Sequence, residues 1–424
     1  MTSGLFTDRY ELTMLSAFVA DGSADHPSVF ELFARGLPPG RRFGILAGLG
    51  RFLDALTEFT FDDHDLAWLR DVGALTPEAA SWLADFRFSG DIDAYAEGDL
   101  YWPGSPVLTV SGRLGECILL ETLALSIINF DTAIASAAAR MVLAAGDRTL
   151  IEMGSRRAHE EAAVAAARAA YAVGFIGTSN LAAGRRFGLP TLGTAAHAFT
   201  LAHRTEAEAF AAQIAAQGVG TTLLVDTYDT EQGIRTAVQV AGPQLGAIRI
   251  DSGDLAVESR RARALLDSQG ATSTQIIVTS DLDEYAMTRL AEAPIDGYGV
   301  GTRVVTGSGH PTAGMVYKLV AVGDAPGGPL RPVAKDSPGK ESVGGRKTAF
   351  RMPDGREFYT LRQDVPAGGV PVARRVVEHG VIAPLASLAQ VREQAATSLA
   401  WLPSRARSVA DGPPWQECTQ SERG

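Results

Sequence analysis

TLLVDTYDTEQGIRTAVQVAGPQLGAIRIDSGDLAVESRRARALLDS, residues 222–268, is the stretch that decides the fold. Two short apolar runs, 222–226 and 247–251, each lead into an acidic loop and then into a stretch with helical spacing of apolar residues. The loops are Asp226-Thr227-Tyr228-Asp229 and Asp251-Ser252-Gly253-Asp254. A short apolar run without polar alternation is the mark of a strand covered on both faces. Strand, polar loop and helix in repetition give parallel strands joined by helices.

The unit extends in both directions, from about residue 149 to 318. The pattern predicts strands at 149–153, 175–177, 190–193, 222–226, 247–251, 275–279 and 297–301, and helices at 159–173, 205–217, 230–240, 255–268 and 283–291. It recurs at roughly 25 to 30 residues without repeating its sequence, which suits a barrel or an open doubly wound sheet better than a solenoid. A barrel-like arrangement is favoured. In either architecture the functional loops follow the C-terminal ends of the strands. Polar, glycine-rich sequence stands at those places: Gly154–Arg157, Gly177–Asn180, Gly193-Thr194, Asp226–Asp229, Asp251–Asp254, Ser280-Asp281 and Gly301–Arg303.

Outside this region the pattern changes. Residues 1–125 mix helical stretches (10–19, 48–56) with strand-like ones (28–33, 107–111), and 323–345 is rich in Gly and Pro, which reads as a mobile connection. The expected organisation is a catalytic α/β barrel at 126–318 and a smaller α/β domain built from both chain ends, 1–125 and 319–424. The polar tail after about residue 404 is expected to fray.

A chain of 424 residues with 46% hydrophobic and 21% charged residues has the composition of a folded globular protein of two or three domains. A net charge of −11 excludes a broad nucleic-acid surface, so any anionic ligand must be held locally. Cys117 and Cys418 are too few for a disulfide framework or a cysteine-rich zinc site and fit a reducing compartment. Residues 1–20 lack the basic-then-apolar order of a secretory signal. The longest apolar stretch, 117–130, falls short of the roughly 20 residues that span a bilayer. A cytoplasmic protein without a membrane segment is expected.

Several residues at the strand ends have the chemistry of a site. Asp251 and Asp254 beside Gly253 suit ribose hydroxyls or magnesium; Asp254 equally suits an N-cap for the helix that opens at Leu255. Asp226 and Asp229 repeat the arrangement one unit earlier, and two such loops at one barrel mouth make a shared acidic site. Gly297-Tyr298-Gly299-Val300-Gly301-Thr302 offers backbone N–H groups and a hydroxyl for a phosphate, although closely spaced glycines also serve tight packing. No GxxxxGK[ST] occurs, and Gly344-Gly345-Arg346-Lys347-Thr348 has the wrong spacing for a P-loop. Arg156 and Arg157 present guanidinium forks for phosphate or carboxylate, or else pair with Glu160 or Glu161 at the surface. His197, among small residues after Gly193-Thr194, is either a structural histidine or an accessible nucleophile.

These residues together resemble a family, the nicotinate phosphoribosyltransferases, over Leu5 to about Lys347. The resemblance is carried by Leu5–Met14 (LFTDRYELTM), Glu152–Ala158, Gly177–Asn180, Gly193–Phe199, Val225–Asp229, Arg249–Leu255, Gly299–Thr302 and Val316–Val320, in that order. It implies the type II phosphoribosyltransferase fold, an α/β domain with an incomplete α/β barrel. It implies an enzyme of NAD salvage that joins nicotinate to phosphoribosyl pyrophosphate, with ATP as co-substrate and Mg2+ as cofactor. Tyr10, reaching the site from the partner in a homodimer, would lie against the pyridine ring. Thr194 and Arg249 look like nicotinate contacts, and Arg156 resembles a substrate-anion ligand. Asp251 resembles a contact for ribose or its magnesium, with Asp226 beside it, and Asp229 and Asp254 as further acids for the metal. Gly301 and Thr302 match the 5′-phosphate loop. His197 holds the position of the family's phosphorylated histidine, so that His197, Asp251 and Arg249 are the expected catalytic set.

Relatives that use the amide have an Asp where this chain has Ser179, and a carboxylate there would repel nicotinate. Nicotinamide phosphoribosyltransferase is therefore the runner-up. A quinolinate-using enzyme needs more basic residues than the sequence supplies. A non-catalytic metabolite-binding protein on the same scaffold remains the alternative from another class, against which His197, Asp251 and Thr302 stand intact.

Overall fold

Ile248 and Ile250 are fully buried and Ala247 nearly so, while Arg249 between them is partly exposed. Such a strand can sit only between other strands and under helices, and it does. The computed structural model describes residues 4–336, 342–362 and 364–421. The chain divides into two compact units, Ala137–Pro311 and Met1–Ser136 with Thr312–Gly424.

The unit Ala137–Pro311 is built on six parallel strands: β1 Thr149–Glu152, β2 Gly177–Thr178, β3 Thr222–Leu224, β4 Ala247–Ile250, β5 Gln275–Thr279 and β6 Gly297–Val300. Their spatial order is β3-β4-β5-β6-β1-β2. That order is sequential around a cycle, with the last strand returning to the first through Gly297↔Thr149 to Val300↔Glu152. It is the order of a barrel left open between β2 and β3, not of a sheet wound in two directions. The strand expected at 190–193 is reduced to a single parallel bridge, Thr178↔Thr191, at this opening. Thr191 has no further strand beside it to complete a ladder among the described residues.

Helices Glu160–Val173, Glu206–Gln217, Thr230–Ala241, Leu255–Ser268 and Glu284–Arg289 follow the strands. The starts of the last four are fixed by side-chain caps: Thr205 accepts from Glu208 N, Asp229 from Gln232 N, Asp254 from Ala256 N and Val257 N, and Asp283 from Ala286 N. Three short helices, Leu181–Phe187, His197–Leu201 and Thr302–Val305, escape periodicity because they are too brief to show it. Below the last strand, Arg140 Nε donates to Glu284 at 2.9 Å with both side chains buried, and Ser308 Oγ donates to the second Glu284 oxygen at 2.8 Å. This pair fastens the segment that follows Thr302–Val305.

The other unit carries a seven-stranded antiparallel sheet in the order Leu330–Pro332, Met315–Gly323, Pro27–Ala34, Leu108–Arg113, Asp91–Ala94, Arg374–Glu378 and Val381–Ile382. Helices Arg9–Asp21, Leu49–Thr57 and Pro77–Leu83 contribute to its core, with Leu15, Phe30, Phe52, Ile92, Val110 and Tyr317 buried together. A smaller sheet joins Thr348–Arg351 to Val370–Pro371 and to Glu357–Thr360, the last pairing with Thr419–Gln420.

Three expectations are corrected here. The Gly/Pro-rich connection 323–345 contains a strand, Leu330–Pro332, hairpinned onto Met315–Gly323; its residues 337–341 lie outside the described residues. The polar tail is anchored and not frayed as far as residue 421, because Trp415 N donates to Arg42 O and Cys418 N to Pro103 O, both at 2.8 Å. The apolar stretch 117–130 opens a longer helix, Glu121–Ala145, whose alanine-rich second half continues it. Residues Leu114–Ala145 are long and apolar enough to cross a membrane by length and composition, but 61% of that window is buried inside the protein, as in a core helix.

Helix Thr230–Ala241 approaches β3 so closely that a Cβ on Gly233 would stand 2.1 Å from the Val225 carbonyl oxygen. Gly→Ala inside a helix ordinarily stabilises by about 1 kcal/mol. Gly233→Ala should do the reverse and destabilise by roughly 1–3 kcal/mol, because backbone must move. Urea unfolding measures the sign, and a stabilised variant would refute the close approach.

Candidate active site

The C-terminal ends of the parallel strands gather most of the expected site residues. Arg249, on β4, extends towards the loop after Thr191, where its guanidinium donates to Thr194 Oγ1. Burial lowers the Arg249 pKa, opposed by the carboxylates of Asp251 and Asp226. Its Nε is buried with no acceptor. An arginine held with an unanswered N–H is prepared for an anion that is not part of the protein.

Asp226 ends the extension of β3, and its side chain is wholly shielded from solvent. One of its oxygens accepts from Asp251 N at 2.8 Å and from Ser252 Oγ at 2.7 Å, so this single carboxylate ties the two acidic loops together. Its Oδ1 is buried with no donor. Asp251 is partly exposed and accepts from Thr279 Oγ1, at the end of β5. Asp229 and Asp254, by contrast, cap the two following helices. Of the four acids, the capping reading holds for the second of each pair and the first of each pair faces the mouth.

His197 opens helix His197–Leu201 and brings its ring to both of these acids. Nε2 lies 4.0 Å from Asp226 Oδ1 and 3.8 Å from Asp251 Oδ2, while Nδ1 is hydrogen-bonded to Thr227 Oγ1 at 3.1 Å. The two carboxylate distances exceed a hydrogen bond. Nδ1 is thus occupied, and Nε2 is the nitrogen left to a ligand. Thr227 was legible only as a member of its loop; nothing in the sequence marks it as the partner of His197. Glu206, the first residue of its helix, is a further acid that the sequence does not announce. Its carboxyl is pushed up to about 6 by burial and by the charges of Asp226 and Asp229.

A cleft of about 260 Å³ opens beside this group, lined by Arg156, Arg157, Arg249, Asp251, Thr279, Ser280, Gly301 and Thr302 among others. Arg156 and Arg157 are exposed, and neither takes up the surface pairing with Glu160 or Glu161; Glu161 instead pairs with Arg186. Gly301 stands at the rim, where an added Cβ would come within 3.3 Å of Met153 O. Gly297 and Gly299 serve a different purpose, since a Cβ at either would collide with side chains of neighbouring strands. Ser280 takes a positive φ of 153°, a conformation rare for a residue with a side chain and one that tends to be kept at working loops.

Ser179 lies at the end of β2, with its N–H donating to Glu152 O at 2.8 Å. Tyr10 belongs to the other unit, on helix Arg9–Asp21, and is 45% exposed. Burial raises its phenol's pKa, and the Glu121 carboxylate adds to the effect.

The family models that match are the nicotinate phosphoribosyltransferase N-terminal domain, over residues 5–129, and the nicotinate phosphoribosyltransferase family, over residues 149–323. The chain is 55% identical to nicotinate phosphoribosyltransferase pncB1 of Mycobacterium tuberculosis, covering 97% of this chain and 94% of that one. It is 30% identical to the nicotinate phosphoribosyltransferase of Homo sapiens, with 99% and 95% covered. The crystal structure of the human nicotinic acid phosphoribosyltransferase superposes with a TM-score of 0.83, covering 98% of each chain at 28% identity. A nicotinate-nucleotide pyrophosphorylase structure from Pyrococcus furiosus, 22% identical with a TM-score of 0.78, shares the fold.

The cleft should bind a small polyanion despite the acidic chain. Calorimetric titration with inorganic pyrophosphate should show binding that Arg156→Ala weakens about tenfold, equivalent to roughly 1.4 kcal/mol. Unchanged affinity would remove that arginine from the anion site.

Proposed function

The chain belongs to the nicotinate phosphoribosyltransferase family and is an enzyme of that type, acting in NAD salvage, and from that premise we propose how its residues divide the work. The observation that carries the proposal is the pairing of a cationic cleft, Arg156, Arg157 and Arg249, with a histidine framed by Asp226 and Asp251 at the same strand ends.

Nicotinate and phosphoribosyl pyrophosphate are the substrates. The pyridine nitrogen attacks C1′ of the ribose, the bond from C1′ to the pyrophosphate oxygen breaks, and pyrophosphate leaves with the electron pair. Arg249 and Thr194 receive the pyridine carboxylate; the buried Nε of Arg249, which lacks an acceptor, supports that role. Gly301 and Thr302 hold the 5′-phosphate with Arg156 nearby, and Asp251 meets the ribose side. Tyr10 of a partner subunit covers the pyridine ring in a homodimer, a role its exposed aromatic face permits. Both cysteines are free and buried, which fits a cytoplasmic setting.

ATP is the co-substrate. His197 Nε2 attacks the γ-phosphorus, the bond to the bridging oxygen breaks and ADP departs, leaving a phosphohistidine that water later hydrolyses. Thr227 on Nδ1 supports Nε2 as the attacking atom. The residues fit magnesium: Asp226 Oδ1 is a buried oxygen without a donor and Asp251 stands beside it. Among the described residues no group of three or more ligating side chains occurs, so substrate oxygens and water would complete the shell, as magnesium prefers. Bound there, the ion would neutralise phosphate charge.

Two outcomes are expected. Nicotinate should be used about 10- to 100-fold better than nicotinamide in kcat/KM, because the amide leaves the buried Nε of Arg249 without a charged acceptor at a cost of about 1–3 kcal/mol. Ser179→Asp should depress nicotinate use, and equal use of acid and amide by the wild-type enzyme would refute the assignment. Incubation with γ-labelled ATP should give an acid-labile, base-stable label that maps to His197. His197→Ala should lose the label and ATP stimulation while keeping a weak ATP-independent transferase activity. A label elsewhere, or full ATP stimulation in the variant, would show the histidine assignment to be wrong.

A further inference from the structure

Glu152 closes β1 and is fully buried, yet no Lys, Arg or His pairs with it among the described residues. Its charge is answered by two neutral donors. Oε1 accepts from Gly154 N and Oε2 from Thr178 Oγ1. Burial raises its pKa, and these two hydrogen bonds work against that rise. A carboxylate buried on such terms costs more than an apolar residue of similar volume, so stability is not what recommends it.

What the two donors have in common is their position. Gly154 begins the loop that carries Arg156 and Arg157 into the cleft. A Cβ on Gly154 would fall 2.8 Å from Glu152 Oε1 and 2.1 Å from Val305 Cγ1, so this backbone is wedged between the carboxylate and the helix that follows Thr302. Thr178 ends β2, and its hydroxyl also accepts from Asn180 N at 2.9 Å, fixing the turn that contains Ser179. The main chain of Glu152 adds a third tie, accepting from Ser179 N at 2.8 Å. In register, Glu152 lies opposite Val300, one residue before Gly301.

We propose that Glu152 is a positioning residue for both halves of the reaction: its carboxylate braces the arginine loop 154–157 against the 178–180 turn, so that anion affinity and pyridine binding are coupled through one buried charge. The assignment of loops to substrates rests on the reading under Proposed function; the brace itself does not.

Glutamine is the informative replacement. Its single amide oxygen can keep Gly154 N, but its NH2 can only donate to the Thr178 hydroxyl, which reverses that arm, leaves the hydroxyl proton without the carboxylate and removes the charge that both donors share. Glu152→Gln should therefore raise KM for phosphoribosyl pyrophosphate and for nicotinate about tenfold each, with a smaller change in kcat. Thr178→Val, which removes one arm and leaves the carboxylate, should weaken nicotinate binding and also pyrophosphate binding. Thr178→Ser should restore both. In the double variant the effects should combine to less than their product, as expected when both act through one contact.

A variant that melts earlier while both KM values stay at wild type would reduce Glu152 to a structural residue and overturn the proposal. So would unchanged pyrophosphate affinity in Thr178→Val, a measurement that needs no turnover and stands even if Glu152→Gln fails to fold. Wild-type protein that binds pyrophosphate, responds to Thr178→Val and yet forms no nicotinate mononucleotide would refute the substrate reading and leave the brace standing.

Discussion

The pairing of β6 with β1 is the constraint on which the unit Ala137–Pro311 depends. Gly297↔Thr149 through Val300↔Glu152 brings the last strand back against the first, and the cycle of strands curls because of it. The approach leaves no room for side chains at 297 and 299: a Cβ at Gly297 would stand 2.4 Å from Thr149 Oγ1, and one at Gly299 2.7 Å from Met153 Sδ, just beyond the end of β1. Those glycines are there for the sheet. Their consequence for chemistry is indirect, since the pairing sets Gly301 and Thr302 alongside Met153 and the arginines that follow it.

Much of this was readable in the sequence. The strands at 222–226, 247–251, 275–279 and 297–301 announce themselves as unbroken apolar runs, and their loops as clusters of Asp, Ser and Gly. The runs failed where the backbone at the barrel's opening has little to pair with. Residues 190–193 look like a strand because they are apolar and end in glycine, but only Thr191 makes a bridge. At the chain ends, composition misled in the other direction. The polar segment after 404 is ordered by main-chain bonds from Trp415 and Cys418 to residues more than three hundred positions earlier, and no local property of a sequence encodes such partners.

The site shows the same division. Arg249, Asp251, Thr194 and His197 stand at strand ends where a parallel sheet exposes its loops, so pattern alone puts them at the mouth. Their mutual geometry depends on the opening between β2 and β3, which allows the 192–196 segment to carry Thr194 to Arg249 and His197 to the two acids. Thr227 and Thr279 were invisible because each acts by one hydrogen bond to a residue far away in sequence, and Glu152 was legible only as the first residue of its segment, since its tie to Thr178 is equally distant. An acidic chain thereby holds a local cationic cleft without a basic surface: three arginines from two stretches of backbone, 156–157 and 249, are brought to one place, and partial burial shields one of them, Arg249, from water.

The repeated spacing of two acids three residues apart has a physical reason that reconciles its competing readings. A helix that follows a strand needs an N-cap, and an Asp there can accept from the first free N–H groups, as Asp229 and Asp254 do. The cap fixes where the helix begins. The residue three positions earlier is still in the extended strand exit, and its side chain is aimed by the sheet and not by the helix. For Asp226 that direction is inward, with no solvent access, and its carboxylate becomes the acceptor for the backbone of the neighbouring loop at Asp251. One acid thus locks the next loop, and the next loop's first acid, Asp251, is left partly exposed beside His197. Capping and chemistry are served by different members of the same pair, and it is the cap that holds the working carboxylate at a fixed distance from the helix it precedes.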